Sequence, residues 1–266
     1  FYADLEMSDV VIENNTATDG TPGLYLIDST LKLTNTIFRN QSAGAENVGA
    51  FIILYVDSTL TIQGDSQFLN GTAKLGAAIY LGTNVKLHAN GATFSSNVAK
   101  SGGALFSHSI NEMELENCTF TNNEGSNGSD IYMFSGTLIL NHVTMSSSKG
   151  SMSISASSPQ KVTITGSTFK ENDISTGRPQ SGAMYIEDPM NVEVSNSQFL
   201  SLQGEKAGAI FATRKQGQLN QLNPTNQESE ESETGVTYSL IINTGSTFVS
   251  CSSESAGGAI NVEGID

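Results

Sequence analysis

Tryptophan is absent from this 266-residue sequence, and cysteine, proline and basic residues are scarce. Two Cys are too few to staple a small core-poor domain, so a disulfide framework is not what organises the chain. Twelve Lys and Arg stand against 27 Asp and Glu, a formal net charge of −15. That balance repels a phosphate backbone, so no nucleic acid is expected as partner, and it disfavours an anionic lipid surface. No apolar run approaches the roughly 18 residues of a spanning helix, so no membrane insertion by this segment is expected. The Ala, Leu, Glu and Lys mixture that builds helices is thin. No signal-peptide pattern opens the chain.

In their place stand 35 Ser, 25 Thr, 23 Asn and 26 Gly. Between them recur short runs of Ile, Leu, Val and Phe, which a disordered segment lacks. Such a composition predicts strands and turns.

The strands repeat. An apolar residue, usually aromatic, precedes Asn or Ser at a nearly fixed interval. The column is Ile12, Phe38, Phe68, Phe94, Phe120, Met145, Phe169, Phe199 and Phe248, with steps of 26, 30, 26, 26, 25, 24, 30 and 49. A second motif keeps step: Gly76-Ala-Ala-Ile79, Gly102-Gly-Ala-Leu105, Gly182-Ala-Met184, Gly208-Ala-Ile210 and Gly257-Gly-Ala-Ile260. A third element alternates, as in Leu31-Lys-Leu33, Leu60-Thr-Ile62 and Val162-Thr-Ile164. Period two marks a strand with one buried face.

Three short strands cannot bury their apolar sides within one repeat, whereas stacked copies can. The pattern predicts an all-β solenoid, a right-handed parallel β-helix of about nine coils of roughly 26 residues. It fills 1–266 as a single domain, read as a fragment of a longer protein because both ends fall within repeats. The Phe column is expected inside as a structural core, and the Asn residues in left-handed turns, stacked as an amide ladder. The step of 49 holds a polar insertion at about 213–235 containing Glu228, Glu230, Glu231 and Glu233. It is expected to leave the rod as a candidate interaction loop.

These paired motifs resemble the repeats of chlamydial polymorphic outer-membrane protein passengers, which carry Gly-Gly-Ala-aliphatic and Phe-x-x-Asn. They are also similar to pectin-lyase-like β-helix repeats of ciliate and other protist surface proteins. The resemblance covers nearly the whole chain and implies a surface adhesin. In the chlamydial family it also implies a C-terminal membrane barrel, which this segment does not contain.

The same fold hosts polysaccharide lyases and hydrolases, so catalytic sets were sought. Asp-Asp, Gly-His-Gly and Arg-x-Lys patterns are missing, and Arg39, Arg178 and Arg214 align with no acidic column. Glu112, Glu114 and Glu116 share one strand face, but their expected neighbours Lys86 and Ile139 make no carboxylate cluster. His88, His108 and His142 are out of register with one another, so no metal ligands are expected. Cys118 and Cys251 lie about five coils apart, beyond disulfide reach. Asn14, Asn40, Asn70, Asn117 and Asn127 begin glycosylation sequons, a number that chance alone supplies. The first three share one coil position.

The reading is therefore an extracellular or cell-surface structural or adhesin scaffold, not an enzyme, with no cofactor. Its expected partners are protein or glycan surfaces, or other copies joined end to end. A fibre-forming subunit and a polysaccharide-active lyase or hydrolase are the alternatives.

Overall fold

A computed structural model describes residues 3–44, 46–172, 179–214 and 239–263. Glu228, Glu230, Glu231 and Glu233 lie outside the described residues. The described strands form a parallel β-helix, with one 15-stranded and one nine-stranded sheet running the length of the stack. Among the described residues, no helix is long and apolar enough to cross a membrane.

The nine-stranded sheet is built from the aromatic motif. Each of its strands places one member of the column opposite the next: Ile12 beside Phe38, Phe38 beside Phe68, and so on to Phe199 beside Phe248. The seven inner members are fully buried. Parallel rings stack at centroid distances of 5.3, 4.9 and 4.6 Å from Phe38 to Phe120, and at 5.0 and 4.7 Å from Phe169 to Phe248. Met145 separates the two runs, filling the gap with an unbranched side chain. Phe51 adds a further buried ring, tilted against Phe38 and Phe68. Burying a ring of this size stabilises by about 2–3 kcal/mol, which makes the column a main source of cohesion.

The larger sheet holds both other motifs. The alternating strand Ser29–Thr34 buries Ser29, Leu31 and Leu33 and turns Thr30, Lys32 and Thr34 outward. The Gly-Ala motif leads into strands such as Ile79–Thr83, whose Ile79 and Leu81 complete the core. Three strands per coil is the rule, and three coils fuse two of them. Leu105–Glu116, Ile131–Asn141 and Ile154–Thr165 run unbroken across both positions. The joint explains the difference. Asp28, Asp57, Asn84 and Asp188 adopt φ of 46 to 58° there and break the strand. Ser109–Glu112 and Gly136–Thr137 pass the joint through a shift in register instead.

The turn after each Phe differs from the expected single Asn ladder, because the motif merges two columns. The residue two places after the column is left-handed in all nine coils, with φ between 53 and 58°. Asn14, Asn40, Asn70 and Asn122 occupy it, but so do Ser96, Ser147, Ser201, Ser250 and Glu171. Asn97 and Asn123 stand one place later and point inward, fully buried. Their amides donate to the Phe68 and Phe94 carbonyls at 2.9 and 3.1 Å, and Asn97 also donates to Asn123 Oδ1 at 3.1 Å. The outer column holds the chain's curvature, whereas the inner one satisfies backbone groups that the turn would orphan.

Candidate functional site

The outer face of the larger sheet carries the densest chemistry. Along Leu105–Glu116 the side chains alternate, so Met113 and Leu115 are buried while Glu112, Glu114 and Glu116 face outward. The coil below supplies Lys86–Asn90 in register: Lys86 beside Glu112, His88 beside Glu114, and Asn90 beside Glu116. His88 Nδ1 lies 3.1 Å from Glu114 Oε2, and its Nε2 lies 3.9 Å from Glu112 Oε1. Asn90 donates to Glu116 at 2.9 Å and accepts from Asn117 at 3.2 Å. A hollow of about 120 Å³ opens beside them, lined by Thr61, Gln63, His88, Asn90, Glu114 and Glu116. One ligand atom each from His88, Glu112 and Glu114 lies within 4.8 Å of the other two.

Glu112, Glu114 and Glu116 share one face as the sequence predicts, with Lys86 and Ile139 among their neighbours. Both neighbours are where expected, since Glu114 also pairs with Ile139. The histidine was missed because it was compared with the other two histidines rather than with the acidic strand. His88 precedes Glu114 by 26 residues, the period itself, and that was the available signal. His108 stacks on Phe134 at 5.8 Å, and His142 occupies a left-handed corner with φ of 56°, so neither joins His88.

A second polar cluster is sealed inside. Asp130 takes the place that Ala104 holds one coil earlier, because Leu105 pairs with Ile131. Its carboxylate is fully buried and accepts from Asn123 at 2.9 Å and Ser148 at 2.7 Å; Ser148 in turn contacts Ser153 at 2.8 Å. Burial pushes the Asp130 carboxyl up to about 6, against the opposing pull of hydrogen bonds from Ser148, Asn123 and Ser153. Among the described residues no cation pairs with it, and no solvent reaches it.

The remaining candidate positions are structural or lie at the surface. Asn40 donates to Asn14 at 3.3 Å, and Asn70 to Asn40 at 3.0 Å, so these three sequon residues form a ladder on one edge. Asn127 donates to Ser101 at 3.2 Å. Cys118 and Cys251 are free. Cys118 is buried, and desolvation raises its thiol to about 11, so it remains protonated and inert.

A family model described as right-handed β-helix region matches residues 52–223. The chain belongs to that family. Its coils wind right-handed, and the match spans the aromatic column from Phe68 to Phe199, the acidic strand and the Asp130 cluster. No curated protein and no solved structure matches the chain.

Proposed function

We propose that this right-handed β-helix is a non-catalytic scaffold of the cell surface or extracellular space, an adhesin that meets its partner with its flat outer faces. The observation that carries the reading is the exterior of the nine-stranded sheet. Gln67, Thr93, Thr119, Thr144, Thr168 and Gln198 stand in one register column. Ser95 and Thr121 stand in a second column beside it, whose next member, Ser146, is buried against Thr121. The middle of this face is regular and rich in hydroxyls, and towards its ends the second column carries Arg39, Leu69, Lys170 and Leu200. It suits hydrogen bonding to glycan or protein surfaces. The finer likeness to chlamydial passengers and protist surface proteins agrees with this role.

The alternative is a polysaccharide lyase or hydrolase, favoured by the juxtaposition of Lys86, His88, Glu112 and Glu114. One experiment separates the two. The full chain is printed against a glycan array and whole cells, and incubated in parallel with acidic and neutral polysaccharides. The scaffold reading expects saturable surface binding with no new reducing ends and no unsaturated uronates. Polysaccharide cleavage that disappears in Glu112→Gln would replace it with the enzymatic reading.

A further inference from the structure

We propose that His88, Glu112 and Glu114 bind one divalent transition ion of the zinc class. The proposal is independent of whether the rod is an adhesin.

Two features separate this cluster from an ordinary acidic patch. The first is the imidazole that the neighbouring coil inserts between the two carboxylates. A neutral ring has one N–H and one lone pair. Either nitrogen of His88 can serve as the ligand: Nδ1 lies 3.1 Å from Glu114 Oε2 and Nε2 lies 3.9 Å from Glu112 Oε1. The 3.9 Å gap is too wide for a hydrogen bond. An ion about 2.0–2.2 Å from each atom spans it. One ligand atom each from His88, Glu112 and Glu114 lies within 4.8 Å of the other two, so small rotations of the half-exposed glutamates gather all three around one ion.

The second feature is the hollow of about 120 Å³ beside the ring. His88 and Glu114 both line it, so a ligand water on that side of the ring has open space. Three protein ligands with an open position filled by water is a common zinc arrangement.

Charge points the same way. Glu112, Glu114 and Glu116 project from one strand face of a chain with a net charge of −15. The ligand chemistry selects among cations. Calcium takes six to eight oxygens and has no use for a nitrogen, whereas imidazole with carboxylate suits zinc and its first-row neighbours. A bound ion would also tie two adjacent coils, because His88 comes from one and the glutamates from the next.

The test is calorimetric titration of the chelator-stripped full chain with zinc chloride, paired with thermal unfolding. One ion per chain is expected, with a higher unfolding midpoint that EDTA reverses. Affinity should fall about tenfold or more in His88→Gln and in the Glu112→Gln/Glu114→Gln double variant. It should be unchanged in His108→Gln and Glu46→Gln. All the ligand side chains are more than a third exposed, so the variants should keep the parent circular dichroism; Glu114→Gln alone serves as a milder second probe. Absence of zinc uptake, uptake equal in parent and His88→Gln, or calcium binding that zinc does not displace would each overturn the assignment.

Discussion

Asp130, the one fully buried acid among the described residues, shows how a single residue sets a pH response. In the unfolded chain its carboxyl ionises near its ordinary value of 3.8; in the folded chain burial delays ionisation to about 6. A raised folded value means that the native state holds its proton more tightly. Stability is therefore greatest below the unfolded value, falls as pH rises between the two, and stays low above the upper one. Two pK units correspond to about 3 kcal/mol. Asp130→Asn keeps an acceptor for the Asn123 amide and removes the buried charge. It is expected to raise stability at pH 7 by up to about 3 kcal/mol and to change little near pH 4. Urea unfolding midpoints at both pH values check this, and an equal effect at the two would contradict it. In the sequence Ser129-Asp130-Ile131 stands where other coils carry Gly-Ala-aliphatic, with nothing to mark the acid as buried. Its burial and its partners depend on Asn123, Ser148 and Ser153, which come from different turns and meet only once coil register is fixed. His88 was hidden for the same reason: an isolated histidine carries no signal until the residue one period away is read beside it.

At the level of the element, the period and the alternation were enough to place the strands. Burial depends on side-chain direction, and in a strand that direction has a period of two. The Phe column was legible because each ring needs a ring-sized neighbour above and below. The turn was harder. A left-handed corner and an inward amide both favour Asn, so Asn40 and Asn97 look alike in sequence although one is exposed and the other fully buried. The strand joints were not legible either, since Asn84 breaks a strand where Gly136 carries one through with a register shift. The corner column yields a specific expectation at Glu171, which holds a φ of 55° where other coils use Asn or Ser. Left-handed geometry costs most residues roughly 1–2 kcal/mol, and Asn tolerates it by bonding locally. Glu171→Asn should thus stabilise by about 1 kcal/mol, read as a higher denaturation midpoint. An unchanged or lower midpoint would show that the corner geometry carries no strain for Glu.

At the scale of the whole molecule, each coil contacts mainly the coils directly above and below, so cohesion is a sum of neighbour terms along the rod. This makes the repeat removable. Thr93 and Thr119 are register partners, so deleting residues 93–118 joins Ala92 to Thr119 with every column kept in step. Phe68 then meets Phe120, and Asn123 takes the position from which Asn97 serves the Gly71 amide and the Phe68 carbonyl. His88 instead meets Ile139, the residue that now pairs with Glu114. The shortened chain should fold, lose about 4.8 Å of rod length by small-angle scattering, and keep its β-sheet circular dichroism. It should also lose zinc uptake, because the deletion removes both glutamates while leaving the histidine. A chain that unfolds on losing one coil would mean that stability rests on contacts beyond nearest neighbours, and the neighbour-sum account of this rod would be wrong.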